Sequence, residues 1–533
     1  MLVKKVIIDN LRHINLNDFD AVTRRGKGVF LSVDKDYQEL IENGHQIIKD
    51  HTQKHEPIYG VTTGFGDSCR NNISYNDAKT LQKNLVLYHG CGIGKYFSPQ
   101  ETLGILLLRL QSIAIGCSGV PYHLLKQLEN FINIPILPLI PEQGSVGASG
   151  DLTPLSYVAA ALCGQRQVIF RNSVMESKLA LQKNSLSPLE LEPKEGLALM
   201  NGTSVMTAIA CFSLLDAEKI ASLAELTTTL TVEVLKGNKG SFSSFIHKNK
   251  RHPGQIRCAE NINKMIMSSK IALSHEQVIN LAKPNKANTQ HNYLSRHIQD
   301  KYSLRCAPQV IGVLHDTISW VKEWVEIEMN SVNDNPLIDP ESGNIYSGGN
   351  FYGGHICTAM DCLRSIIASV ADLIDKQIEL IIDEKFNQGL GSNLVNPKNE
   401  HSYLCHGFKA MQITLSSLVA EIMHIANPVS TLSRPTEALN QDKVSLGTIS
   451  SRYSRNVIQM TFNCLAIQIL ALCQAIEIRG EEKFSAVAKD IFQFIRESVP
   501  FTDQDREMDS DIIKITEIIK NDKIYNIIAD HLK

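Results

Sequence analysis

Gly144–Tyr157 reads GSVGASGDLTPLSY, and this fourteen-residue stretch governs how the rest of the chain is read. Gly144, Gly147 and Gly150 permit backbone shapes and close approaches that a residue with a Cβ resists. The plainest interpretation is a tight turn before a helix, with Ser149 or Asp151 as its N-cap. A second interpretation is chemical. Glycine at position 150 lets that residue's nitrogen approach the Ala148 carbonyl, where a β-substituent would hinder attack. Loss of water closes a five-membered ring, and dehydration of Ser149 leaves an exocyclic methylene. The product is an electron-poor alkene, which no unmodified side chain offers.

On the N-terminal side the chain mixes short strands, helices and glycine-rich loops, with clusters at Gly60, Gly64 and Gly66 and at Gly90, Gly92 and Gly94. Chemistry is usually carried on loops held by a rigid scaffold. From about Leu197 the texture changes to long helical periodicity. Val205–Leu235 places Ile209, Phe212, Leu215, Ile220 and Leu223 at three- and four-residue spacings. The pattern returns through Ile356, Met360, Leu363, Ile367, Val370, Ile374 and Ile378, and through Leu465, Ile469, Leu472 and Ile476. Long helices of this kind predict a central bundle. Lys236–Pro253 and Lys283–Asp300 read as surface loops or a flap, Phe170–Gly196 as an irregular connector, and Glu481–Lys533 as a helical cap. The expectation is a mainly α fold in three segments: a smaller mixed N-terminal domain over 1–196 carrying the loops, a long-helix bundle over 197–480, and the cap over 481–533.

The 533 residues suffice for two or three domains with proper cores. Hydrophobic residues make up 43%, charged residues 20% and the formal net charge is -3, so neither a nucleic-acid tail nor a polybasic membrane patch is expected. The most apolar late stretch, Met460–Ile478, is interrupted by Asn463, Gln468 and Gln474 and reads as a buried helix, with no membrane association expected. Twelve cysteines are scattered singly, without a zinc-like spacing. Free thiols and the lack of a signal-peptide pattern favour a reducing cytoplasm.

The stretch at 144–157 resembles the loop of the aromatic amino acid ammonia-lyase and aminomutase family, which includes histidine, phenylalanine and tyrosine ammonia-lyases. The resemblance covers nearly the whole chain. Ile58–Gly66 (IYGVTTGFG) is similar to the family's tyrosine loop, and Glu195–Thr203 (EGLALMNGT) to the segment with its active-site asparagine. Tyr302–Cys306, Asn333–Pro336, Ser347–Phe351 and Asn440–Ser445 resemble further signatures, all in the family's order. The resemblance implies an ammonia-lyase/fumarase-like fold and a 4-methylidene-imidazol-5-one formed from Ala148, Ser149 and Gly150, with no metal, nucleotide or pyridoxal. It implies Tyr59 as the base for the β-proton, although an ordinary tyrosine has a pKa near 10 and needs a positive environment to act near neutrality. It also implies Arg305 for the substrate carboxylate, because guanidinium binds carboxylate in a bidentate fork. Asn201, Gln299, Tyr302 and Asn335 are implied to hold the amine, carboxylate and ring oxygen, and Phe351 to wall the pocket. Asp151 is expected to support the loop rather than react. A homotetramer with active sites drawn from several chains, and a small amino acid as substrate, complete the implied picture.

The substrate signals are mixed. At Tyr88-His89, histidine-specific members resembled here carry Ser-His, so His89 agrees and Tyr88 does not. Lys409 and Gln441 resemble the phenylalanine and tyrosine branches, where histidine-specific members tend to methionine and glutamate. A buried polar mismatch costs selectivity heavily. The expectation is therefore elimination of ammonia from L-phenylalanine or L-tyrosine, giving trans-cinnamate or p-coumarate. The alternatives are a histidine ammonia-lyase giving urocanate, an aminomutase built from the same groups, and a non-catalytic helical scaffold.

Overall fold

The structure is a computed structural model describing residues 5–285 and 293–533. The fold is mainly α with short strands. The chain forms two compact units, one of 1–213, 321–361 and 428–455, the other of 214–320, 362–427 and 456–533. Four of the five unit boundaries fall inside the long helices Ser204–Val234, Ala307–Met329, Gly354–Ile382 and Gly447–Arg479, and the fifth lies between 427 and 428. The segments read from sequence texture divide the chain by a different criterion.

In the first unit, Val6–Ile8 pairs in parallel with Val29–Leu31. Helix Pro99–Ala114 starts from a capping box, in which the Ser98 hydroxyl accepts from the Glu101 amide and the Glu101 carboxylate accepts from the Ser98 amide. Most of its residues are buried, consistent with the unbroken apolar run Ile105–Leu108. Ile93–Tyr96 runs antiparallel to Pro141–Gln143 and holds the entry to the 144–151 loop. Helices Ala78–Tyr88, Leu152–Leu162 and Glu195–Met200 pack on one another. The connector over 170–196 is more regular than its sequence indicates: Ser173–Glu176 pairs antiparallel with Gln167–Phe170, and Ser177–Lys183 is helical.

In the second unit the long helices are cross-linked by buried amides. Gln377 Nε2 donates to Thr228 Oγ1 at 2.9 Å, and Gln468 Nε2 donates to Gln377 Oε1 at 2.8 Å. Each link is made where no water can replace it, so it fixes the axial register of the helices that share it. Gln474 likewise bonds both ways with the Thr502 backbone, at 2.8 and 3.1 Å. Helix Gly447–Arg479 is long and apolar enough to cross a membrane, with a mean hydropathy of 1.5 over its most apolar window, yet 83% of that window is buried in the protein. The polar residues that interrupt this stretch are its hydrogen-bonding contacts to other segments. Helices Ala486–Arg496, Asp509–Lys520 and Asp522–Leu532 make up most of the C-terminal part. The segment 236–253 is not merely loop, since Lys239–Phe242 is a 3-10 turn and Ser244–Lys248 a short helix. The expected flap over 283–300 lies partly outside the described residues; of the remainder, 284–285 pairs antiparallel with 293–294.

Candidate active site

Three helix ends meet at one place in the first unit. Helix Ala78–Tyr88 finishes at Tyr88-His89, Glu195–Met200 finishes at Asn201, and Leu152–Leu162 begins directly after Ala148–Asp151. Because the three helices pack together, the residues at their ends converge. Tyr88, His89, Ala148, Ser149, Gly150 and Asn201 line a cavity of about 600 Å³ with Tyr59, Phe65, Gly66, Leu197, Thr436, Glu437 and Gln441.

The electrophile loop is held by the Gly202 peptide. The Asp151 amide donates to the Gly202 carbonyl at 2.7 Å, and the Gly202 amide donates to the Ser149 carbonyl at 3.3 Å. Gly150 sits between these two bonds at φ +75°, and a Cβ there would lie 2.1 Å from the Gly202 carbonyl oxygen. Ser149 is itself left-handed at φ 51°, a conformation residues with a Cβ seldom adopt. Glycine at 150 is thus required twice, by backbone conformation and by the approach of a second chain segment. A loop bent this tightly at 149 and 150, with glycine imposed at 150, suits closure of a ring between residues 148 and 150.

Asp151 supports this loop. It precedes helix Leu152–Leu162 but makes no side-chain cap to it. Its Oδ2 instead accepts from the Val205 and Met206 amides at 3.0 and 2.9 Å, capping helix Ser204–Val234. Its Oδ1 accepts from the Thr448 hydroxyl and, at 3.2 Å, from Ser145 Oγ. Burial pushes its carboxyl up to about 6, against the opposing pull of these hydrogen bonds.

Tyr59 lies half-buried on the cavity wall, and its phenol oxygen accepts from the Gly66 amide at 2.9 Å. Burial raises its pKa; the Gly66 N–H pulls the other way and the Glu437 carboxylate adds to the rise. The cavity residues of this chain therefore do not create the positive environment that a tyrosine base needs. His89 is held neutral, pushed down to about 4 by burial, with its ring 4.5 Å from that of Tyr88. Asn201 is buried; its Nδ2 donates to the Asn335 carbonyl at 3.3 Å, and its Oδ1 meets no donor among the described residues.

Of the residues singled out from sequence, Tyr59, Tyr88, His89, Ala148, Ser149, Gly150, Asn201 and Gln441 share this cavity. Asn335 and Phe351 belong to the same unit but do not line it. Asn335 stands behind Asn201, its Oδ1 accepting from the Gly348 amide at 2.7 Å. Gln299, Tyr302, Arg305 and Lys409 belong to the second unit. There Gln299 lines a separate cavity of about 480 Å³, and the Arg305 guanidinium lies 4.5 Å over the ring of Tyr302, which is 72% exposed. Lys409 is the exposed first residue of helix Lys409–Ile425. Sequence reasoning missed Glu437, Gly202, and a buried set of charges formed by Arg109, Lys194 and Asp334. Arg109 carried a signal, as a lone cation inside the apolar run Ile105–Leu110; Glu437 carried none.

Comparison with known proteins identifies the family. The family model for aromatic amino acid lyases matches residues 14–497. The histidine ammonia-lyase of Clostridium tetani is 35% identical over 98% of this chain and 97% of its own, and that of Bacillus subtilis 37% identical over 92% of each. Among solved structures, the tyrosine aminomutase of Streptomyces globisporus superposes with a TM-score of 0.92 at 33% identity, covering 99% of both chains. With a family match over most of its length and relatives this similar, the chain belongs to the aromatic amino acid lyase family and is a carbon–nitrogen lyase of the ammonia-lyase type.

Proposed function

We propose that this lyase eliminates ammonia from L-histidine, giving urocanate. The observation that carries the reading is the cavity itself, which gathers Ala148-Ser149-Gly150, Tyr59 and Asn201 with neutral His89 and the carboxylate of Glu437. The sequence-based preference for phenylalanine or tyrosine rested on Lys409 and Gln441, and finds less support. Lys409 does not line the cavity, and Gln441 already uses Oε1 to accept from Thr436 Oγ1 at 2.8 Å. A carboxylate is nevertheless present four positions earlier at Glu437, whose Oε1 accepts from the Asp67 amide at 2.8 Å and whose Oε2 is left to meet an imidazole N–H. The extensive likeness to histidine ammonia-lyases points the same way.

The roles follow from the chemistry. The methylidene-imidazolone formed from Ala148, Ser149 and Gly150 supplies an electron-poor alkene that captures electron density from the substrate and makes its amine a better leaving group. Tyr59, as phenolate, takes the β-proton at its oxygen, with the Gly66 N–H stabilising the charge. The free Oδ1 of Asn201 accepts a hydrogen bond from the substrate amine. Arg305 and Tyr302, with Gln299, bind the carboxylate and Phe351 closes the pocket, supplied from another copy of the chain in a homotetramer. Breaking Cβ–H and Cα–N and forming the Cα–Cβ double bond leaves urocanate and ammonia, so no oxidant or metal enters the balance. We place the enzyme in the cytoplasm, consistent with its twelve free thiols.

A second reading, tyrosine as substrate, is favoured by Gln441 and by the adjacent hydroxyl and imidazole of Tyr88-His89, which could bind a phenol. Incubating the purified enzyme separately with histidine, tyrosine and phenylalanine, and following the near-ultraviolet absorbance of the product, separates the two. Urocanate from histidine with the others inert supports the proposal. Coumarate or cinnamate with histidine inert sinks it, and chiral analysis for a β-amino acid would reveal an aminomutase.

A further inference from the structure

Behind the electrophile loop lies a buried set of charges that the elimination itself does not use. Arg109, Lys194, Asp334 and Asp151 are all fully buried, two cations and two carboxylates, with Lys194 paired to Asp334. Arg109 is the member that reaches the loop's brace. Its Nη1 donates to the Asn201 carbonyl at 2.7 Å, and its Nη2 donates to Ser112 Oγ at 2.9 Å and Asn333 Oδ1 at 3.2 Å. Ser112 Oγ in turn donates to Asn333 Oδ1 at 3.1 Å, closing the cluster. A Cβ on Gly202 would lie 2.2 Å from Asn333 Oδ1 and 2.3 Å from Arg109 Nη1. The guanidinium is therefore a wedge directly behind the peptide that presses on Gly150.

We propose that Arg109 is a positioning residue for formation of the electrophile: it fixes the Asn201-Gly202 peptide so that Gly202 holds residues 149–151 in the bent shape that ring closure needs. This rests on the reading that Ala148, Ser149 and Gly150 form the ring. In that closure the Gly150 nitrogen bonds to the Ala148 carbonyl carbon, and the carbonyl oxygen leaves as water with the nitrogen's proton and one more. Ser149 loses its α-proton and β-hydroxyl as a second water, leaving a carbon–carbon double bond. The balance needs no oxidant, only close approach of nitrogen to carbon, and such approach is the part a scaffold supplies. Without the guanidinium the Asn201 carbonyl would be buried unpaired, and rotating the 201–202 peptide is the direct way to relieve that. The same rotation swings the Gly202 N–H, which shares that peptide plane, away from the Ser149 carbonyl. Asn201, which lines the cavity, would turn with it.

The test is the intact mass of the full-length enzyme, since each completed ring leaves the chain two waters lighter. Wild type is expected to be fully converted. Arg109→Gln is expected to lower the converted fraction about tenfold while far-ultraviolet circular dichroism stays native, because one 1.4 kcal/mol difference is a factor of ten. Arg109→Lys, which keeps the charge but not the fork, is expected to convert slowly on storage. Ser112→Ala, a milder loss of one guanidinium partner, covers the case in which Arg109→Gln fails to fold. In the converted molecules of any variant, kcat is expected to fall more than KM rises. Full conversion with wild-type kcat in Arg109→Lys and Ser112→Ala overturns the inference. A wild-type chain at full mass overturns the ring itself and this inference with it, which separates the two failures.

Discussion

A single β-carbon decides whether position 150 can serve. Added there, it would stand 2.1 Å from the Gly202 carbonyl oxygen and would also force a left-handed φ on a residue that resists it. Gly150→Ala is therefore expected to give a folded chain at full, unmodified mass with activity below about one-thousandth of wild type, the scale of losing a covalent catalytic group. A converted, active Gly150→Ala enzyme would contradict the loop geometry. The charge around Tyr59 is set at the same scale. Glu437 raises the tyrosine's pKa, so at a given pH less phenolate is available, and the rate should climb with pH as Tyr59 deprotonates. Removing the carboxylate in Glu437→Gln is expected to move that rising limb of kcat/KM to lower pH; an unmoved limb would mean that Tyr59 is not the titrating base. Tyr59 and the Ala-Ser-Gly triplet were legible because each sits in a long distinctive string. Glu437 was not, because only the folding of the 431–441 loop brings it to the cavity, and nothing in its local sequence marks it.

The site is assembled from helix ends, and the reason is packing. Ala78–Tyr88, Leu152–Leu162 and Glu195–Met200 bury their apolar faces against one another, so their termini open on a common cavity without any residue there having to contribute to the core. The apolar periodicity of the long helices could be read directly from sequence, down to the glutamines that interrupt Gly447–Arg479. The three short helices could not be assembled that way, since their mutual packing joins segments spread over residues 78–200. Asp151 shows the same limit. Its sequence position marks it as a cap for the helix that follows, whereas its carboxylate caps the one beginning at Ser204. Asp151→Ala is therefore expected to destabilise the protein by about 2 kcal/mol, the upper range for losing a cap. The loss should appear as a lower urea midpoint, and local hydrogen exchange should quicken at residues 205–206 rather than in Leu152–Leu162. Faster exchange confined to the 152–162 helix would assign the cap the other way. The carboxyl's folded pKa near 6 lies above the 3.8 of an exposed aspartate, so its ionisation works against the fold. Wild type should lose this part of its stability as pH rises through about 6, and Asp151→Ala should not.

At the scale of the whole molecule the cavity is chemically incomplete. Its described lining residues include the Glu437 carboxylate but neither lysine nor arginine, although the reaction needs a cation for the substrate carboxylate and gains from one near the phenolate. The arginine that the signature at Tyr302–Cys306 supplies lies in the second unit, half-buried, its guanidinium over the exposed ring of Tyr302 and its Nε donating to the Asp300 carbonyl at 3.1 Å. The proposed homotetramer would account for this, each copy lending its Arg305 to a neighbour's cavity and receiving one in return. Sequence analysis could name Arg305, Gln299, Phe351 and Tyr59 as a set, since their motifs are local, but a single sequence does not say which copy each serves. Two inactive variants make the arrangement measurable. Tyr59→Phe and Arg305→Ala should each be nearly inactive alone, and co-expression in equal amounts should restore about a quarter of wild-type activity, the share of sites that draw an intact tyrosine from one chain and an intact arginine from another. Recovery requires that the residues come from different copies. If no mixing ratio restores activity while the mixed assemblies form normally, Tyr59 and Arg305 must act within one chain, and the exposed face around Tyr302 needs another explanation.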